Sequence, residues 1–208
     1  QMTHLSTFAE LRTDPLTGVS NRRAFDEALN SLLAQKDRYS TPLSLAILDI
    51  DFFKQINDKQ GHLDGDRVLQ DLAQVLRDNI RECDVLARYG GEEFVILMPN
   101  TELPAACNLT ERIRAAVNGS LSITVSTGVA AANGDEDGSE LVARADAALY
   151  MAKKAGRNCV YLHEGTSGRM VGIKSGERQP SAQVEPAAPP AVGADPAALP
   201  QVEPQPCG

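Results

Sequence analysis

The feature that most constrains the fold is the alternation, along residues 20–162, of short apolar runs with longer segments of helical periodicity. The runs typical of strands are residues 43–48, 85–89, 94–98, 121–131 and 159–162. The segments with apolar residues on one helical face contain Phe25, Leu29, Leu32 and Leu33; Val68, Leu72, Val75 and Leu76; Leu109, Ile113 and Val117; and Leu141, Ala145, Ala148 and Leu149. Strands separated by helices, with one internal hairpin, predict an α/β fold in which helices pack on a mixed sheet.

Local signals mark where these elements begin and turn. Ser20 and Asn21 are residue types that cap helices, and Gly156 follows the last helical segment, where glycine commonly ends a helix. Gly90-Gly91 joins two strand runs, and we expect both glycines to take the positive φ angles of a tight hairpin turn.

The chain divides into three predicted parts. Residues 1–12 have apolar residues at helical spacing and are interpreted as the end of an upstream helix or linker. Residues 13–164 form the predicted globular domain. Residues 165–208 contain eight of the twelve prolines and no aromatic residue, so they bury too little apolar surface to offset chain entropy. They predict a disordered tail, with a passive extension favoured over a linker or a partner-docking segment.

Charge and composition exclude several classes of function. A formal net charge of −8 argues against general affinity for nucleic acid or anionic membranes, which requires a basic surface. No apolar run approaches the roughly 20 residues of a membrane span, and nothing is typical of a signal peptide. The four cysteines and three histidines lack metal-ligand spacing. A cytoplasmic segment without membrane contact is expected, with any membrane anchor lying upstream.

Two acidic clusters stand at predicted strand ends. Asp49-Ile50-Asp51 follows the run 43–48, and Glu92-Glu93 follows the Gly90-Gly91 turn, where glycine lets backbone approach a ligand closely. Carboxylates without nearby histidine or cysteine select hard ions such as Mg²⁺ or Mn²⁺. Taken singly, the first cluster is as typical of a helix cap as of a metal site, and the second is more typical of a solvated turn. Their occurrence together in one small domain favours a metal site.

Several spaced motifs carry a family resemblance in order. They are Asp14-Pro15-Leu16-Thr17-Gly18, Asn21-Arg22-Arg23, Asp49-Ile50-Asp51-Phe52-Phe53-Lys54, Ile56-Asn57-Asp58, Gly61-His62, Gly65-Asp66, Arg88-Tyr89-Gly90-Gly91-Glu92-Glu93-Phe94, Ala145-Asp146 and Gly156-Arg157-Asn158. The chain resembles the GGDEF family, the diguanylate cyclases, in its GGEEF form, over residues 14–162. It departs at Val19, where leucine is commoner, and in residues 117–123, which are shorter than in many members.

The resemblance implies a fold, a reaction and a set of site residues. The fold is a five-stranded mixed sheet surrounded by helices, like the palm of nucleotidyl cyclases and polymerases. The reaction condenses two GTP into cyclic di-GMP and two pyrophosphates, with Mg²⁺ or Mn²⁺, in a two-fold homodimer controlled by an upstream sensor. The implied metal ligands are Asp49, the Ile50 carbonyl, Glu92 and Glu93, with Glu92 and Glu93 also the catalytic candidates and the choice of base open. The implied substrate contacts are Asn57 and Asp66 for guanine, and Phe52, Phe53, Lys54, Gly90, Gly91, Lys153 and Arg157 around the phosphates.

The resemblance also implies product inhibition at an RxxD site. Arg81 and Asp84 stand at the family spacing before Gly90, and Arg112 matches an arginine that a neighbouring subunit contributes. On residue types alone, Arg81 and Asp84 are also typical of an ion pair at a helix end, and Lys153 and Arg157 of basic residues at a helix C-terminus.

Two alternative functions remain open. One is a catalytically inactive module that binds GTP or cyclic di-GMP, although Asp49, Glu92 and Glu93 are all present. The other is a different nucleotidyl cyclase or transferase on the same fold, which Asn57 and Asp66 together disfavour.

Overall fold

The alternating pattern folds into one mixed sheet with helices on both faces, in a computed structural model that describes residues 12–165 and 169–173. The strands of this described part are β1 (Ser20–Asn21), β2 (Leu43–Ile50), β3 (Val85–Arg88), β4 (Glu93–Pro99), β5 (Val125–Ala131), β6 (Val160–Glu164) and β7 (Arg169–Ile173). Its helices are α1 (Arg22–Tyr39), α2 (Phe53–Gln60), α3 (His62–Asn79), α4 (Leu103–Ser120) and α5 (Gly138–Lys154). Residues 1–11, and with them most of the predicted upstream helix, lie outside the described residues.

Strand β2 occupies the centre of the sheet, whose order is β1-β3-β4-β2-β5-β6-β7. It pairs antiparallel with β4 and β5, and β5 pairs parallel with β6. Every residue of β2 is buried, because α1 and α5 cover one face of the sheet and α3 and α4 cover the other. The predicted α/β class is confirmed. No helix in the described part of the chain is long and apolar enough to cross a membrane.

Helix ends follow the capping chemistry of the sequence. The Asn21 side chain accepts a hydrogen bond from the Ala24 N–H at 3.0 Å, which confirms it as the cap of α1. Asp137 and Glu140 form a reciprocal capping box at the start of α5, the helix that carries Lys153.

Three element predictions need correction. The strand predicted over residues 121–131 begins at Val125, since Leu121 and Ile123 pack on the core from an irregular segment. Helix α2 was missed because its eight residues are mostly polar, with Phe53 alone buried. The sheet has the five implied strands, β2 to β6, flanked in the described residues by β1 and β7.

Strand β7 also corrects the predicted start of the tail. Residues 169–173 pair antiparallel with β6, from Glu164 opposite Arg169 to Val160 opposite Ile173. Averaging composition over residues 165–208 concealed this short apolar segment in front of the prolines. Residues 174–208, where the predicted disorder rests, lie outside the described residues.

Truncation separates the two parts of this C-terminal region. Ending the chain at Ile173 is expected to change the melting temperature by less than about 2 °C, because the proline-rich composition disfavours packing. Ending it at Gly165 removes the strand that pairs with β6, and we expect a drop of about 2–4 °C or more, as for a loss of roughly 1 kcal/mol. Thermal denaturation of the three lengths checks this. Equal melting temperatures for the two truncations would show that β7 contributes nothing.

Candidate active site

The two acidic clusters meet at one end of β2. Asp49 lies opposite Glu93 in the β2–β4 pairing, and the Ile50 N–H donates to the Glu92 carbonyl at 3.4 Å. Asp49 and Glu93 extend the strand positions that face α1 and α5, so their carboxylates project toward the C-terminal end of α5. The sheet register thus brings together acids that are far apart in the sequence.

Lys153 of α5 supplies the local positive charge. Its Nζ lies 2.7 Å from Oδ2 of Asp49, whose side chain is 8% exposed. Burial raises the pKa of Asp49, and the lysine offsets this only in part. Burial also raises the pKa values of Glu92 and Glu93, and the nearby Asp49 charge raises both further. Mutual repulsion among these acids favours an additional cation.

The donor set fits a hard divalent cation completed by other oxygens. Within residues 12–165 and 169–173, no three acidic, histidine or cysteine side chains are close enough to enclose an ion by themselves. Carboxylates and backbone carbonyls are nevertheless the ligands that Mg²⁺ prefers, and this ion commonly keeps water or phosphate oxygens in its shell. Asp49, Glu92 and the Ile50 carbonyl are therefore suitable partial ligands.

The Gly90-Gly91 turn differs from its prediction. Neither glycine has a φ between +20° and +160°. Gly90 leaves room for an acid instead, because a Cβ there would lie 2.7 Å from Oε2 of Glu93 and would displace that carboxylate. Arg88 fixes the turn by donating to the Gly91 carbonyl at 2.7 Å and to Asp14 at 3.3 Å.

Asp14 explains the first motif of the sequence. It accepts from the backbone N–H and hydroxyl of Thr17, at 2.9 and 2.6 Å. Burial raises the pKa of Asp14, but the hydrogen bonds from Thr17 and the Arg88 charge outweigh burial and lower it overall. The motif therefore anchors Arg88, and through it the acidic turn.

Four of the predicted phosphate contacts, Phe52, Phe53, Lys54 and Arg157, lie at the start of α2. Phe52 has a left-handed backbone (φ 59°) and a half-exposed ring, whereas Phe53 is buried. The first turn of a helix leaves N–H groups free of intrahelical partners, which suits an anion. The Arg157 guanidinium lies 4.5 Å from the centre of the Phe52 ring. Lys54 is exposed on the same turn.

The two predicted guanine contacts lie on the neighbouring helices α2 and α3. A Cβ on Gly65 would lie 1.9 Å from Oδ1 of Asn57, so this glycine admits the Asn57 amide against α3. Asp66 is the next residue, and its half-buried carboxylate has no hydrogen-bond or ion-pair partner in the described part of the chain. A polar pair of this kind is available to a ligand.

The predicted product site lies after α3, apart from the acids. The Asp84 carboxylate accepts from the Arg81 backbone N–H at 2.9 Å, and no side-chain ion pair joins them within residues 12–165 and 169–173. The helix-end ion pair considered from sequence is therefore absent there. Arg112 of the same chain donates to the Asn79 carbonyl at 2.7 Å, two residues before Arg81.

The residue pattern alone did not separate the roles of Asp49 and Asp51, and the family resemblance implied a metal role for Asp49 only. Asp51 accepts from the hydroxyls of Thr124 and Ser126, both at 2.6 Å, and from the Asn158 N–H at 3.0 Å. It is 4% exposed and saturated by these bonds, so it joins β5 and the segment after α5 to the end of β2. Arg22 was also missed: its guanidinium lies over the Tyr89 ring at 4.4 Å, and its charge partly opposes the rise that burial causes in the pKa of Glu93.

Fold and site together define an α/β domain with clustered acids and a basic side chain at one end of its central strand. The family model described as "Diguanylate cyclase, GGDEF domain" matches residues 11–159. The chain therefore belongs to the GGDEF family.

Relatives agree with this assignment. The chain is 50% identical over 154 residues to the diguanylate cyclase DgcP of Pseudomonas aeruginosa, covering 70% of this chain and 23% of that protein. It is 46% identical over 159 residues to the response regulator PleD of Caulobacter vibrioides, covering 71% and 35%. The crystal structure of the GGDEF domain of DgcB from Caulobacter crescentus with c-di-GMP has a TM-score of 0.71 and 38% identity, covering 73% of this chain and 93% of that one. The chain thus spans about a quarter to a third of these two curated relatives.

Proposed function

We propose that this chain is a diguanylate cyclase domain that condenses two GTP molecules into cyclic di-GMP and two pyrophosphates. The observation that carries the proposal is the meeting of Asp49, Glu92 and Glu93 with Lys153 at the end of β2. Similarity to a relative named as a diguanylate cyclase supports the substrate class. A module that only binds nucleotide would not need three acids that repel one another beside a phosphate subsite.

Each side chain has a role in this mechanism. Held by Asp49, the Ile50 carbonyl and Glu92, Mg²⁺ or Mn²⁺ would supply charge neutralisation at the triphosphate. Lys153 and Arg157 bind phosphate oxygens, and the free N–H groups of the first turn of α2 assist them. Glu93 assists at the metal or accepts the proton of the attacking hydroxyl.

The chemistry requires two copies of the domain. Each 3′-hydroxyl attacks the α-phosphate of the other GTP, forming one P–O bond and releasing one pyrophosphate while the hydroxyl proton is lost. Two such steps close the ring. A two-fold dimer presents both donors and both acceptors symmetrically. Control by an upstream sensor belongs to the proposal, because the matched region is a minor part of DgcP and PleD.

Incubation with GTP tests the function directly. The chain with GTP and Mg²⁺ is expected to yield cyclic di-GMP and pyrophosphate, with a rate that rises with the square of protein concentration at low concentration. Chelation of the metal should stop the reaction, and readdition of Mg²⁺ or Mn²⁺ should restore it. Bound GTP without product, at concentrations where a dimer is present, would favour the inactive binding module.

Product inhibition is the second part of the proposal. The Arg81 guanidinium has no partner in the described residues, and Asp84 fixes the turn that carries it. Arginine can donate two hydrogen bonds to guanine O6 and N7. Arg112 projects from α4 beside the same turn, so one chain already presents two arginines there.

Arg81→Ala is expected to weaken inhibition by cyclic di-GMP about 10-fold or more, since a charge-assisted contact contributes roughly 1.5–3 kcal/mol. Initial rates against added cyclic di-GMP at several GTP concentrations check this, and inhibition of the unmodified chain should be non-competitive. Arg38→Ala, at the exposed C-terminal end of α1, is the control. Identical inhibition curves for Arg81→Ala and the unmodified chain would remove the site from the proposal.

A further inference from the structure

The segment after α5 has an unusual backbone. Arg157 and Asn158 both have left-handed conformations, with φ of 67° and 46°, directly after Gly156. Residues with side chains seldom adopt this region, and two in succession cost energy that the surroundings must offset. Asparagine tolerates the conformation best among them, whereas arginine has no such preference. The contacts that stabilise this conformation therefore bear on the role of the turn.

Three hydrogen bonds fix the turn from three directions. The Arg157 N–H donates to the Ala152 carbonyl of α5 at 3.1 Å. The Asn158 N–H donates to the Asp51 carboxylate at 3.0 Å, and the Asn158 side-chain oxygen accepts from Nη1 of Arg114 at 2.7 Å. Backbone and side chain of Asn158 are thus bound to different elements.

Both partners of Asn158 are themselves immobilised. Arg114 of α4 is 8% exposed and donates to both carboxylate oxygens of Glu111 at 2.8 Å. This bidentate pair orients the guanidinium and leaves Nη1 for Asn158. Asp51 is held by the hydroxyls of Thr124 and Ser126. The turn is therefore anchored on two buried charged groups.

The left-handed turn aims the Arg157 side chain at the site. Its guanidinium lies 4.5 Å from the Phe52 ring centre at the start of α2. Burial raises the pKa of Asp49, and the Arg157 charge partly opposes that rise, so this guanidinium lies within electrostatic range of the acids. An arginine on a regular helical continuation of α5 would leave in another direction.

We infer that Asn158, anchored by Arg114 and Asp51, is a positioning residue that places the Arg157 guanidinium for contact with the phosphates of the substrate. The inference rests on the proposed function in assigning Arg157 to a nucleoside triphosphate. Asn158 does not touch the substrate, and it acts only through its neighbour. Glu111 and Arg114 thereby connect α4 to the phosphate side of the site.

The test measures binding, so it does not depend on turnover. The probe is a GTP analogue with a methylene group between the α- and β-phosphates, which cannot release pyrophosphate, titrated calorimetrically into the full chain with Mg²⁺. Asn158→Gly keeps the left-handed backbone but removes the acceptor for Arg114. Its affinity for the analogue is expected to fall about 10-fold, while affinity for GMP, which lacks the outer phosphates, changes less than about 2-fold. Asn158→Asp retains an acceptor oxygen and should recover most of the loss.

A double-mutant cycle separates positioning from general damage. In an Arg157→Met background, Asn158→Gly should lower the affinity for the analogue no further, because the guanidinium that Asn158 positions is gone. Asn100→Gly is the matched control, since Asn100 also has a left-handed backbone (φ 52°) but lies at the opposite end of β4. Melting temperatures confirm that each variant is folded.

The outcomes distinguish this inference from the proposed function. Equal losses from Asn158→Gly with and without Arg157 would overturn the positioning role, as would an unchanged affinity in the single variant. Failure of the unmodified chain to bind the analogue would also overturn it. If the chain binds the analogue but makes no cyclic di-GMP from GTP, the proposed function alone is refuted. The double-mutant cycle then still tests the positioning role of Asn158.

Discussion

Glu92→Gln is expected to lower the rate of cyclic di-GMP formation by about 10²- to 10³-fold or more, and Asp49→Asn should do the same. Each substitution keeps the shape of the side chain and removes one negative charge from the end of β2. The proposed metal loses a ligand and the triphosphate loses the cation that neutralises it. Activity is measured as initial rate at saturating GTP and Mg²⁺.

Neither substitution should harm the fold. The pKa values of Asp49 and Glu92 are raised because burial and neighbouring carboxylates oppose their charged forms. Removing one charge relieves that opposition, and Lys153 is 33% exposed, so it can turn to water when Asp49 is neutral. We therefore expect melting temperatures that stay equal or rise, a common relation between stability and active-site charge.

Glu102→Gln provides the matched control for these variants. Glu102 is exposed and directly precedes α4, at the end of β4 that lies away from the acids. Its substitution makes the same chemical change as Glu92→Gln but outside the site. Its activity should equal that of the unmodified chain. Unchanged cyclic di-GMP synthesis by folded Glu92→Gln or Asp49→Asn would contradict the metal assignment.

The pair of acids shows how far sequence alone leads. Asp49 follows one apolar strand run and Glu92 stands just before another, so their places at strand ends were predictable from local pattern. Their meeting depends on the register of β2 with β4, which local periodicity does not give. The family resemblance implied only that both are ligands of one metal. The role of Lys153 likewise needed the packing of α5 on the sheet, because its sequence neighbourhood is that of an ordinary helix end.

Asp51 shows where sequence reasoning stops. It stands two residues from Asp49 and carries the same carboxylate, yet its oxygens already accept hydrogen bonds from Thr124, Ser126 and the Asn158 N–H. These partners come from β5, from the residue before it and from the turn after α5, and no spacing rule connects them. The Gly90 result is similar, since this glycine leaves room for the Glu93 carboxylate and does not supply a positive φ angle.

The short elements were missed for a different reason. Helix α2 and strand β7 each have too few residues for a periodic pattern to stand out from its surroundings. Their structure comes from tertiary contacts: Phe53 packs into the core, and β7 satisfies the open edge of β6. In the sequence, α2 was read only as part of a family motif and β7 only as part of the proline-rich tail, so neither element was recognised.

The guanine site gives the second large prediction. Asp66→Ala is expected to lower the ratio of kcat/KM for GTP to that for ATP by about 100-fold or more, because sites that hydrogen-bond a substrate discriminate strongly against analogues without the group. A carboxylate accepts from the N1 and N2 hydrogens of guanine, and adenine has no such pair. The Asn57 amide can donate to guanine O6, so Asn57→Ala should act in the same direction.

Gly65 allows a test that leaves both polar groups in place. A Cβ there would meet Oδ1 of Asn57 at 1.9 Å, so Gly65→Ala should displace the amide and erode selectivity as Asn57→Ala does. Asp64→Ala is the control, because Asp64 lies on the same helix and pairs with Arg67 at 2.9 Å instead of facing a ligand. Steady-state kinetics with GTP and ATP give the ratio for each variant. Wild-type selectivity in both Asp66→Ala and Gly65→Ala would place the guanine contacts elsewhere, since the two changes reach the site through different side chains.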